Sequence, residues 1–112
     1  MRTILAIMAI GLFSLSASAQ ADCQMCATDH GLEVCLTMNT SNKTANVVMC
    51  PIGGSMDDCD IWLGSVQYNS YTKDVTFTNS QDGTRVLFDH YSGDVYQLNA
   101  GDYTWFLTLD QL

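Results

Sequence analysis

The chain has 112 residues, with four Lys and Arg against twelve Asp and Glu, for a net charge of −8. That balance excludes a nucleic-acid or anionic-lipid binder working through a basic surface. A hydrophobic fraction of 47% excludes a chain too polar to fold.

Residues 1–19 have the three parts of a Sec signal peptide. Arg2 supplies the positive start, Ile4 to Leu15 is apolar apart from Gly11 and Ser14, and Ala17-Ser18-Ala19 is an A-x-A cleavage site. The apolar run, about 12 residues, is short for a membrane span. Asp22 before Cys23 is not the small residue that a lipid-modified cysteine requires. The expectation is a periplasmic or secreted protein of the bacterial cell envelope, starting at Gln20, with no stable membrane insertion after cleavage. The mature chain has three basic residues, Lys43, Lys73 and Arg85, against all twelve acids, so its charge is −9. Such a surface suits a basic protein partner.

Residues 20–32 hold Cys23 and Cys26 and read as an irregular segment, with at most one helical turn. From Glu33 onward the apolar period is two, and residues 33–112 read as a single β-rich domain. The alternation predicts seven strands, Glu33–Thr40, Thr44–Cys50, Asp60–Tyr68, Asp74–Thr78, Thr84–Tyr91, Asp94–Asn99 and Tyr103–Leu109. Turn residues separate them: Ser41-Asn42-Lys43, Asn79-Ser80-Gln81-Asp82-Gly83, Ser92-Gly93 and Asn99-Ala100-Gly101-Asp102. Short connections favour antiparallel neighbours. The predicted fold is all-β: a small antiparallel meander, sandwich or barrel of about seven strands with a disulfide-stapled N-terminal segment. The inward set is Leu36, Met38, Val47, Met49, Trp62, Val66, Tyr68, Val75, Phe77, Val86, Phe88, Tyr96, Leu98, Tyr103, Trp105, Leu107 and Leu109.

All five cysteines, Cys23, Cys26, Cys35, Cys50 and Cys59, lie in the first part of the mature chain. In an exported protein they should form disulfides, and an odd count leaves one thiol over. A hairpin closed around Ser41-Asn42-Lys43-Thr44 sets Leu36 opposite Met49, Met38 opposite Val47 and Cys35 opposite Cys50. Directly opposed strand residues are close enough to bridge. This favours Cys35–Cys50, with Cys59 taking Cys23 or Cys26. The competing scheme is a Cys50–Cys59 bridge closing the loop 51–58. The spare thiol then falls at Cys23 or Cys26 and is expected to be exposed, making a disulfide-linked dimer possible.

Cys23-Gln24-Met25-Cys26 lacks the preceding strand of a thioredoxin-like redox site and the following histidine of a haem attachment site. No metal or other cofactor is expected. Cys23, Met25, Cys26 and His30 are the candidate ligands for soft copper or zinc, with Cys35 able to be a fourth for zinc. His90 beside Asp89 makes no triad, because neighbours on a strand face opposite ways. The acidic run Asp57-Asp58-Cys59-Asp60 lacks the ligand spacing of a calcium loop. Nothing here predicts an enzyme.

Ser92-Gly93-Asp94-Val95-Tyr96 matches an S-G-x-x-Y motif, Cys59 precedes the strand Val75-Thr76-Phe77, and Tyr103-Thr104-Trp105-Phe106 forms an aromatic strand. In these features, over roughly residues 59–107, the chain resembles the periplasmic and membrane-bound inhibitors of c-type lysozyme. The resemblance implies a small exported β-barrel that inserts a serine-bearing loop into the lysozyme cleft, with Ser92, Gly93 and Tyr96 as the partner loop. Three features depart from that family. Leu107-Thr108-Leu109 stands where a lysine-glycine motif is expected, no C-terminal cysteine is present to pair Cys59, and the N-terminal cysteine segment has no counterpart. The resulting expectation is a small non-catalytic binding or accessory protein acting through protein–protein contact. The alternatives are an inhibitor of a basic secreted hydrolase and a soft-metal binding protein.

Overall fold

The computed structural model describes residues 21–112; the export signal expected at 1–19 lies outside them. Side chains alternate in and out along eight strands: β1 (Cys23–Asp29), β2 (Leu32–Asn39), β3 (Thr44–Pro51), β4 (Asp60–Tyr68), β5 (Val75–Asn79), β6 (Arg85–Ser92), β7 (Val95–Ala100) and β8 (Tyr103–Gln111). Each strand pairs antiparallel with the next, and β1 also pairs with β8, so the sheet closes into an up-and-down barrel. The expected all-β class holds, and among meander, sandwich and barrel the architecture is the barrel. A barrel of eight strands has an interior that side chains can fill. Here Met25, Val34, Leu36, Phe77, Phe88 and Leu107 fill it.

The eighth strand is β1, in the segment expected to be irregular. Its Cys23, Met25 and Ala27 point into the barrel and join the core. One of its edges runs beside β2, from Cys23 opposite Met38 to Asp29 opposite Leu32. The other runs beside β8, from Cys23 opposite Gln111 to Cys26 opposite Thr108.

Three of the hairpin loops share one hydrogen-bond scheme. Asn39, Asn69 and Asn79 each end or follow a strand, and their side-chain Oδ1 atoms accept from loop backbone N–H groups at Ser41 and Asn42, at Tyr71 and Thr72, and at Gln81. Four residues after each asparagine stands a residue with positive φ: Lys43 (67°), Lys73 (67°) and Gly83 (77°). The side chain just before it, Asn42, Thr72 or Asp82, accepts from the first N–H of the returning segment. Asparagine favours such loops because its amide imitates a backbone carbonyl.

That scheme corrects the predicted β2–β3 hairpin. Asn39 draws the turn one residue towards the N-terminus, which slips the pairing by two, so Leu36 faces Val47, Met38 faces Ala45 and Asn39 faces Thr44. A slip of two preserves which side chains point inward, and Met49 still packs against the core. It moves Cys35 opposite Val48, however, and Cys50 opposite Glu33. The favoured Cys35–Cys50 bridge is therefore absent. Cys26 lies directly opposite Cys35 on β1 and β2, and these two are bridged with Cα atoms 4.2 Å apart. The second bridge is the competing one, Cys50–Cys59, also 4.2 Å between Cα atoms. It clips the loop that carries the 3₁₀ turn Met56–Asp58 back onto the end of β3. Closing such short loops stabilises a fold by roughly 2–3 kcal/mol per bridge in the chain-entropy account.

Trypsin distinguishes the two connectivities, because Lys43 lies between the cysteine pairs. Non-reduced digestion should release separate peptides ending at Lys43 and Lys73, each lacking its two thiol hydrogens. A Cys35–Cys50 bridge would leave these peptides joined until reduction.

At Gly64, on β4, the backbone of β5 passes too close to leave room for a side chain. A Cβ there would overlap the Thr78 carbonyl on β5 and lie 3.0 Å from the Phe77 ring. The backbone can neither yield at Thr78 without breaking the β4–β5 ladder nor move Phe77, which is fully buried. Gly64→Ala should lower stability by about 1–3 kcal/mol, the range for overpacked cores, as read by urea denaturation.

Candidate functional site: an open seam and two barrel mouths

Loops alternate between the two ends of the barrel. The loops after β1, β3, β5 and β7 rim one mouth, and those after β2, β4 and β6 rim the other. At the second mouth the Leu112 N–H donates to the Asp22 carbonyl at 2.9 Å, tying the end of the chain to the start of β1.

Among the described residues the shortest ladder in the wall is the one between β6 and β7. β6 and β7 pair only at Asp89–Gln97, His90–Tyr96 and Ser92–Val95, with a bulge between His90 and Ser92. A bulge bends and twists its strand. Beyond Asp89 the strands part, β6 following β5 as far as Arg85 opposite Thr78, and β7 following β8 as far as Ala100 opposite Tyr103. The bulge is fixed from both sides. The Asp74 carboxylate accepts from the His90 N–H at 2.8 Å, and the His90 Nε2 lies 2.9 Å from the Gly93 carbonyl. The hydrogen bond from His90, then the one from Thr72, holds the Asp74 carboxyl below its usual range.

A cavity of about 570 Å³ opens along this seam and the first mouth. Its inner wall is Val47, Met49, Trp62, Phe77, Val86 and Leu98. Its lips are Arg85, Leu87 and Asp89 on β6 and Asn99 and Ala100 on β7, with Asp82 above. Apolar groups face inward, while two carboxylates and one guanidinium stand at the entrance. Hydrogen bonds from Thr84 hold the Asp82 carboxyl low, so it is charged at neutral pH.

The second mouth encloses about 360 Å³ beside Cys23, Met25, Met38, Val66, Tyr68 and Tyr96. Cys23 is the free cysteine, only 5% exposed. The spare thiol is therefore one of the two expected positions, but its expected exposure is corrected. β1 turns it into the barrel, which removes the ground for pairing with a second copy. Burial, then the neighbouring Asp22 charge and a hydrogen bond to that carboxylate, push the thiol from an ordinary value of 9.0 up to about 11.

The residues singled out from sequence are divided by the fold. Cys26 is consumed by its bridge to Cys35. His30 lies at the far end of β1, in the turn to β2, its ring 4.4 Å from Tyr103 and 5.4 Å from Trp105. Cys23 and Met25 share the interior, so the four candidate metal ligands do not converge. Among the described residues no three His, Cys, Asp or Glu side chains are grouped to hold a metal. In the candidate partner loop, Ser92 and Gly93 are exposed at the β6–β7 turn, but Tyr96 is buried with its ring edge-on to His90 at 5.3 Å. The seam was missed because Trp62, Phe77 and Leu98 read only as core. The sequence carried no signal for it, since both strands continue past the point where they part, β6 from Arg85 and β7 to Ala100.

No protein-family model, curated protein or solved structure matches the chain.

The buried thiol gives a pH test. Its proton is held more tightly in the folded than in the unfolded state, so its contribution to stability is complete below about pH 9 and is lost as pH rises through about 11. Burial also raises the Tyr96 phenol, which adds to the alkaline loss. Cys23→Ser should flatten the decline in melting temperature between these pH values and leave only the tyrosine part. Native protein at pH 8 should show no rapidly titrating thiol, and unfolded protein one; an immediate full thiol signal in the native state would contradict the burial of Cys23.

Proposed function

We propose that the protein is a small non-catalytic binding protein of the bacterial cell envelope or medium, and that it takes an apolar small molecule without negative charge through the β6–β7 seam. The observation that carries this reading is the seam cavity, whose size lies within the usual range for ligand sites. Its wall of Trp62, Phe77, Met49 and Leu98 favours an apolar body. The entrance carboxylates Asp82 and Asp89 outnumber Arg85, and with the net charge they disfavour a carboxylate or phosphate. The two intramolecular disulfides fit an oxidising compartment, and a periplasmic or secreted location agrees with the sequence at 1–19.

A second reading, inhibition of a basic hydrolase such as c-type lysozyme, is favoured by one observation. The exposed Ser92-Gly93 turn is braced by His90 and Asp74 in a fixed shape, as a loop presented to a protein cleft needs to be. The acidic surface suits a basic enzyme.

Titration with N-phenyl-1-naphthylamine, a neutral apolar fluorophore, tests the first reading. Saturable one-site binding with energy transfer from Trp62 is expected. The transfer should fall in Trp62→Phe to the part that Trp105 supplies, and affinity should drop about tenfold in Leu87→Glu, which sets a charge on the exposed lip. Absence of saturable binding to folded protein overturns it. Lysozyme assays in the presence of the protein test the second reading independently. Inhibition relieved by Ser92→Ala would support it, and unchanged lysis at tenfold molar excess would reject it.

A further inference from the structure

We propose that the barrel interior at the second mouth is a copper(I) site formed by three sulfur atoms, those of Cys23, Met25 and Met38. The seam plays no part in it. The argument begins with β-sheet register. Cys23 on β1 lies directly opposite Met38 on β2, and Met25 follows Cys23 by two residues on the same face. Opposed Cβ atoms in an antiparallel pair are about 4.5–5.5 Å apart, and diagonal neighbours are within reach of long side chains. Methionine carries its sulfur on a flexible unbranched arm. All three residues are buried in one core cluster and line the same cavity, so the site has room beside it.

The donor chemistry selects the ion. One thiolate and two thioethers, with no imidazole in the set, suit soft Cu(I) and not Zn(II) or a hard cation. His30, the imidazole nearest in sequence, is at the other end of β1, and Cys26 is committed to its bridge. This ligand set differs from the one suggested by the sequence, keeping Cys23 and Met25 and replacing Cys26 and His30 with Met38. Among the five cysteines only Cys23 remains a thiol, so the oxidising chemistry that makes the two bridges leaves this donor in place.

Loading is a simple exchange. The Cys23 S–H bond breaks, a sulfur–copper bond forms, and the proton leaves as H⁺, with no change of oxidation state.

Anaerobic titration with tetrakis(acetonitrile)copper(I) against bathocuproine disulfonate tests the site. Folded wild-type protein should hold one Cu(I) per chain, and X-ray absorption should show sulfur neighbours alone. Cys23→Ser should weaken binding by about 100-fold, and the near-isosteric Met25→Leu and Met38→Leu by about tenfold each. Thermal melts establish that each variant is folded, and if Cys23→Ser does not fold, the two methionine variants decide. Three results overturn the proposal: no copper held by wild-type protein, equal retention in all variants, or dependence on Cys23 with no effect of either methionine. None of these outcomes bears on fluorophore binding at the seam, because the two cavities share no residue.

Discussion

The pairing of β1 with β8 is the constraint on which the other features depend. A sheet of this length without closure presents two open edges, each a row of unsatisfied backbone groups. Here Cys23–Cys26 run against Thr108–Gln111, and both edges disappear. Trp105 reinforces the closure, its indole N–H donating to the Asp29 carbonyl at 3.1 Å across the β8–β1 junction. Closure also decides the chemistry of the N-terminus. Once β1 is a wall strand, its alternate residues have fixed destinations, Cys23 and Met25 inside and Cys26 outside. The free thiol is buried and the bridged Cys26 stands half-buried on the outer face for the same geometric reason.

Much of this architecture was legible from Glu33 onward, where the period-two pattern marks seven strands and nearly all of the inward residues. β1 was not legible. Gln24, Met25, Ala27 and Asp29 are weak strand formers; the segment pairs along its length with β2 through the tight His30-Gly31 turn, and its other edge is covered by β8, at the far end of the chain. Local pattern cannot register a contact so distant in sequence. The two cysteines also drew attention to pairing and away from alternation, although Cys23, Met25 and Ala27 do alternate with the outward residues between them.

The disulfides show how a correct pattern still yields a wrong pairing. Placing Leu36 and Met38 on one face with Val47 and Met49 is right in any register that differs by an even number. The hydrophobic pattern therefore fixes the face, while the turn fixes the register. Here the turn is fixed by Asn39, whose side chain gathers the loop N–H groups. The same arrangement at Asn69 and Asn79 makes the rule readable after the fact: an asparagine, then Lys or Gly four residues on, with a short polar acceptor between them. Read this way, the sequence would have closed the β2–β3 hairpin at Asn39–Thr44 and excluded Cys35–Cys50.

Both bridges lie in β1 to β4, while the break in the wall lies between β6 and β7. This asymmetry has a mechanical consequence. Cys26–Cys35 ties adjacent strands, and Cys50–Cys59 ties a loop to the strand before it, so neither spans the seam. Local opening is cheapest where few ladder bonds must break and no covalent link resists. In this barrel that place is the β6–β7 wall beyond Asp89. An apolar guest larger than the resting gap would enter there without loosening the stapled half. The sulfur-lined mouth faces the opposite condition, because its ligands sit on β1 and β2, the pair held by Cys26–Cys35. A metal site gains from donors that cannot drift apart, and a ligand port gains from lips that can. Cys26–Cys35 stiffens the strand pair that carries the sulfur atoms, and neither bridge restrains the β6–β7 lips, so each proposed site has the stiffness its task requires.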